Sequence, residues 1–90
     1  MIDRPIQDCF LLIHPAVYRI RVPGRLSPDW SERLRGMALS TVEEGKKTFT
    51  EINGRLPDQA ALMGVLDELY SHAIPVMRVE CISVDPQKEE

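Results

Sequence analysis

The chain has 90 residues, of which 43% are apolar, 28% charged and 6% aromatic. That size and balance allow one small hydrophobic core and exclude two independent ones. Eleven basic and 14 acidic residues leave a formal charge of −3, the wrong sign for a polyanion-binding surface. The longest apolar run, Cys9–Ile13, is far shorter than the roughly 20 residues of a membrane span and lies close after Asp3 and Asp8. No signal peptide or membrane anchor is therefore expected.

Residues 1–16 fit no regular element and are expected to form an extension, in which Ile6–Ile13 could add an edge strand, pair with a second copy or be loosely ordered. Tyr18-Arg19-Ile20-Arg21-Val22 alternates apolar with basic side chains and stops at Pro23-Gly24, the period-two signature of a strand with one buried face. Ser27-Pro28-Asp29 supplies a capping hydroxyl, a proline for the first helical position and an early acid, which opens a short helix carrying Trp30 and Leu34 on one face. Gly36 offers a left-handed stop.

From Met37 to Glu44 helical periodicity is missing, and Thr48–Ile52 is rich in β-branched and aromatic types. Two strands joined by a tight turn near Gly45 follow, with a bend or bulge expected at Asn53-Gly54. Asp58 then caps a helix running to about His72, with Ala61, Leu62, Val65, Leu66 and Leu69 as its inner stripe. Gly64 in the middle of that helix suggests close approach by another backbone. Val76–Val84 reads as the last strand, with Met77, Val79 and Cys81 facing one way. The acidic residues 85–90 form a tail.

The order strand, helix, strand, strand, helix, strand predicts an α+β fold over residues 17–84. It is the ferredoxin-like βαββαβ two-layer sandwich, a four-stranded antiparallel sheet with two helices on one face. The right-handed crossover rule is expected to bring the first and third strands together, parallel, in the middle of the sheet. The string Tyr18-x-Ile20-x-Val22-x-Gly24-x-Leu26, Trp30, Gly36-Met37, then Gly54-x-Leu56-x-Asp58-Gln59-Ala60-Ala61-Leu62-x-Gly64-Val65-Leu66 resembles a group of small uncharacterised bacterial α/β proteins. The resemblance implies a stand-alone domain with no established activity. It also implies that Met63 stands where relatives often carry a histidine, which argues against a shared catalytic site.

No catalytic, metal or cofactor site is expected. His14 and His72 lack a ligand-like companion at i+3 or i+4, and the five glycines assemble into neither phosphate-binding motif. Glu43-Glu44 and Asp67-Glu68 are neighbours rather than carboxylates converging across a cleft, so they read as solvated charges. Cys9 and Cys81 are too far apart in sequence for a redox pair or a zinc knuckle, so both read as reduced thiols in a cytoplasmic protein, Cys81 buried and inert.

If Tyr18, Ile20 and Val22 point inward, Arg19 and Arg21 point outward, joined by Phe49 and Glu51 from the third strand and by Arg78, Glu80 and Ile82 from the fourth. Arg19, Arg21, Phe49, Glu51, Arg78 and Glu80 are thus the candidate ligand or interface residues. The leading expectation is a non-catalytic regulatory or accessory module, a homodimer that binds a small ligand or a protein partner. The alternatives are an enzyme gripping a small anionic substrate through Arg19, Arg21 and Arg78, and a weak binder of single-stranded nucleic acid. The last has little support, because only Phe49 could stack a base.

Overall fold

The strand that begins the domain shows why the rest assembles as it does. In the computed structural model, which describes residues 15–84, β1 (Ala16–Pro23) buries Ala16, Tyr18, Ile20 and Val22 and leaves the side chains between them half-buried. The expected arm and tail lie outside the described residues, except that Pro15 and Ala16 lead into and open β1.

Beyond β1 the chain turns at Gly24 and enters a 3-10 helix, Pro28–Leu34. Ser27 caps it, its hydroxyl accepting from the Asp29 backbone N–H at 3.2 Å, and Pro28 occupies the first turn where no donor is needed. At seven residues the element is longer than the roughly three or four over which this tighter helix usually runs. It ends on two successive left-handed residues, Arg35 (φ 59°) and Gly36 (φ 79°). The glycine adopts this conformation freely, whereas the arginine gives up about 1 kcal/mol.

Strands β2 (Ala38–Glu44) and β3 (Lys47–Leu56) form a hairpin closed by the Glu44–Lys47 pair around Gly45, as the sequence implies. β3 runs without interruption through Asn53-Gly54, so the expected bend is absent. Gly54 instead makes room for Met37: a Cβ there would lie 2.9 Å from Met37 Cγ and 3.2 Å from its Cα. The close backbone approach expected at Gly64 is therefore found at Gly54, and Gly64 is covered by the Arg35 side chain.

Asp58 caps α1 (Gln59–Ser71), its carboxylate accepting from the Ala61 N–H at 2.9 Å. The predicted inner stripe is buried at Ala61, Leu62, Val65 and Leu69, with Leu66 packed at its margin. At the far end His72 stands edge-on to Trp30 with ring centroids 4.9 Å apart, and its Nδ1 lies 3.0 Å from the Glu68 carbonyl, so the nitrogen donates. The last strand, β4 (Arg78–Val84), starts later than expected. Met77 precedes it and is exposed, while its N–H donates to the Arg21 carbonyl at 2.8 Å.

The sheet order is β2-β3-β1-β4, antiparallel throughout. β1 and β3 are indeed the central neighbours, but they run antiparallel, not parallel. The crossover relates β1 to β2, and β3, reversed by the hairpin, slots between them. The result is an α+β fold. Leu34 and Met37 from the 3-10 segment and the inner stripe of α1 join Tyr18, Ile20, Val22, Ile52, Leu56 and Cys81 in one core. Thr50 is the polar member of the inner face. Its fully buried hydroxyl donates to the Gly24 carbonyl (2.7 Å) and accepts from the Leu26 N–H (3.0 Å), pinning the turn after β1.

Cys81 corrects another expectation. It is buried on the inner face, opposite Tyr18, but its sulfur belongs to a disulfide rather than a thiol. The sequence's other cysteine, Cys9, lies outside the described residues. Spacing along the chain bears only on local motifs, and folding can pair cysteines at any separation. The cytoplasmic expectation rested on reduced thiols and loses that ground.

Candidate functional site

The outer face of the sheet collects all six candidate residues, because each strand contributes alternate positions. Arg19 faces Asn53 and Glu80 in register, Arg21 faces Glu51 and Arg78, and Phe49 lies beside them opposite Pro23. The fourth strand keeps this parity only to Cys81. A bulge between Val17 and Tyr18 on the β1–β4 ladder shifts the register between Cys81 and Ser83, so the expected place of Ile82 on this face is not a simple alternation.

The charges on this face are bound to one another. Arg21 Nη2 donates to Glu51 Oε2 at 2.7 Å, and its Nη1 lies 3.4 Å from Glu44 Oε2. Arg19 Nη1 reaches Glu80 Oε1 at 3.3 Å and its Nε donates to Asn53 Oδ1 at 3.2 Å, while Arg78 lies 3.8 Å from Glu80. Arg21 and Glu51 are each only 19% exposed at the side chain. The Glu51 hydrogen bond, opposed by burial and reinforced by Glu44, holds the Arg21 guanidinium above its ordinary pKa. Among the described residues its Nε is buried with no hydrogen-bond partner.

That cover decides the role of Phe49. The Arg21 guanidinium sits 5.0 Å from the ring centroid, and Phe49 is 9% exposed. A base could stack on it only after displacing Arg21 from both Glu51 and Glu44. The face is a lattice of opposite charges over a packed aromatic. Asn53 and Glu44 belong to this lattice, whereas the sequence reads the first as part of a bend and the second as a solvated charge. The pairing of Glu44 with Lys47 at the hairpin mouth was the available signal, because it places Glu44 on the side reached by Arg21 across Phe49.

Apolar side chains are exposed at Val76, Met77 and Ile82, before and on β4, and on the helical side. Along α1, Met63 (47% exposed) and Tyr70 (81% exposed) flank Leu66, beside a shallow concavity of about 410 Å³ that also includes Gly64 and Asp67. A second concavity of about 270 Å³ begins on the other side of Tyr70, formed with Ala73, Ile74 and Pro75. The inner-stripe analysis missed this flank because Met63 and Tyr70 fall outside the stripe facing the sheet. Their spacing, seven residues with Leu66 between, was the signal. Among the described residues no three His, Cys, Asp or Glu side chains gather as a metal site, and no helix is long and apolar enough to cross a membrane.

Fold and surfaces together define a small α+β domain with paired charges on its sheet face and an exposed apolar flank along α1. More particularly, residues 17–80 match the family described as "Domain of unknown function (DUF8691)", and the chain belongs to that family. No curated protein and no solved structure matches it.

Proposed function

We propose that this is a ferredoxin-like, non-catalytic accessory module that works as a homodimer joined through the flank of α1. The strand order, which from the opposite edge runs β4-β1-β3-β2, supports the ferredoxin-like assignment. The observation that carries the dimer is Tyr70, 81% exposed and bordered by two concavities with apolar walls. A two-fold axis across α1 would seat each Tyr70 in the partner's depression beside Met63 and Leu66, a self-complementary contact of knob and hole. A core this small gains from such cover.

The lattice on the sheet face supports a non-catalytic role. The enzyme reading needs Arg19, Arg21 and Arg78 for a substrate, and all three already face carboxylates at 2.7–3.8 Å. Light scattering of the full chain over micromolar concentrations, with and without reductant, tests the dimer. A reductant-insensitive dimer that Tyr70→Asp converts to a folded monomer is expected. A wild-type monomer across the range, or a dimer indifferent to Tyr70→Asp, overturns the proposal.

A further inference from the structure

One side of β4 is given to β1, and the other is the outer edge of the sheet. The Met77 N–H donates to the Arg21 carbonyl at 2.8 Å, so by the alternation of a strand the backbone groups of Arg78 and Glu80 are turned away from β1. No described strand lies on that side. A sheet edge of this kind is either covered or liable to pair with another chain. Arg78, Glu80 and Ile82, alternate residues of β4, each make a further interaction beyond the ion pairs of the sheet face.

Cys81 narrows the choice of occupant. Its sulfur belongs to a disulfide, and the chain has one other cysteine, Cys9. The acidic residues 85–90 continue β4 itself and hold no cysteine. The leading residues end where β1 begins, and Ala16 faces Val84 in register at the end of β4. Cys81 lies three positions back from Val84, roughly 10 Å at the rise of a strand, whereas the seven positions from Cys9 to Ala16 span up to roughly 23 Å. Cys9 of the same chain is therefore within reach of Cys81, with slack for a turn around the end of β4. A disulfide holds its two Cα atoms within roughly 7 Å, which brings the neighbours of Cys9 against β4. Those neighbours are Phe10-Leu11-Leu12-Ile13, the rest of the longest apolar run in the chain.

We infer that the outer edge of β4 is a docking surface whose occupant is the chain's own leading segment, residues 6–13, laid along Arg78–Val84 and fastened by a Cys9–Cys81 disulfide. The bond keeps the segment at high local concentration beside the edge, and its apolar side chains supply the attraction. This surface is separate from the Tyr70 flank, so its failure leaves the dimer untouched, and a disulfide within one chain agrees with a dimer insensitive to reductant.

The experiment uses the full chain, purified without reductant and with any free thiols blocked. Trypsin places Cys9 and Cys81 in separate peptides, because it cuts at Arg19 and at other basic residues between them. A cross-linked pair of those peptides is expected, from protein whose unreduced mass is that of one chain, 10.2 kDa. Amide hydrogen exchange should find Arg78 and Glu80 as protected as Val79, whose N–H faces β1. The double variant Phe10→Asp with Leu11→Asp puts a charge on each face of an extended segment and keeps both cysteines. In it the Arg78 and Glu80 amides should exchange about tenfold faster or more, while the amide of the buried Ile52 is unchanged. Blocked thiols, a disulfide-joined pair of chains, or wild-type Arg78 and Glu80 amides that exchange like those of an exposed loop overturn the inference, as does protection that ignores the double variant. If that variant does not fold, the wild-type linkage and protection decide.

Discussion

One methyl group added at Gly54 and one added at Gly64 are expected to move stability in opposite directions. In Gly54→Ala the new Cβ meets Met37 at Cγ (2.9 Å), Cα (3.2 Å) and Cβ (3.2 Å). Met37 is 2% exposed and packed in the core, and two of those three atoms move only with the backbone of the segment leaving the 3-10 helix. Overpacking of this kind costs about 1–3 kcal/mol, against which alanine recovers about 0.5–1 kcal/mol over glycine in a strand. A net loss of about 1–2 kcal/mol remains, or roughly 5–15 °C in Tm for a domain of this size. In Gly64→Ala the nearest atom is the tip of the exposed Arg35 side chain at 3.0 Å, which can swing aside. The helix then keeps most of the 0.8–1.0 kcal/mol or so by which alanine exceeds glycine. Urea titration and thermal melting followed by circular dichroism read both. A Gly54→Ala variant as stable as the parent would refute the claim that Met37 packing, rather than a bend, explains that glycine.

Thr50→Val keeps the shape of a fully buried side chain but strands the Gly24 carbonyl and the Leu26 N–H; urea titration should show a loss of about 1–3 kcal/mol, largely restored in Thr50→Ser. Arg21→Ala uncovers Phe49 and leaves Glu51 without its 2.7 Å partner, and should cost about 1.5–3 kcal/mol. Arg25→Ala, from a pair exposed on both sides, should change stability by less than about 0.5 kcal/mol, and equal losses in the two would show that the lattice adds nothing. Burial raises the Tyr18 hydroxyl above its ordinary pKa of 10.0. Above pH 10 the unfolded chain therefore releases a proton that the folded chain retains, and stability falls from there upward. Melting between pH 8 and 11.5 should show that alkaline decline in the parent and a shallower one in Tyr18→Phe.

Where the sequence was informative, a short-range rule met no competitor. Tyr18, Ile20 and Val22 alternate with two arginines, and no other conformation hides the first set while wetting the second, so the inner and outer faces of β1 follow directly. Asp58 and Ser27 were equally readable, because an N-cap is satisfied within three residues of its own position. The errors fall where the deciding contact comes from far along the chain. Gly54 resembles a turn residue until Met37 is laid over it from 17 positions earlier. Cys81 reads as an inert thiol as long as only neighbouring cysteines are considered.

The same distinction separates the two kinds of surface. Parity alone gathers Arg19, Arg21, Phe49, Glu51, Arg78 and Glu80, but it does not say whether their charges are free. That depends on register, which sets Arg19 against Glu80 and Arg21 against Glu51 and so neutralises the face. Arg35 is the converse case. Nothing periodic marks it, and its place over Gly64 follows from two locally unfavourable residues: a non-glycine where the chain turns left-handed, and a glycine in mid-helix where alanine would be better.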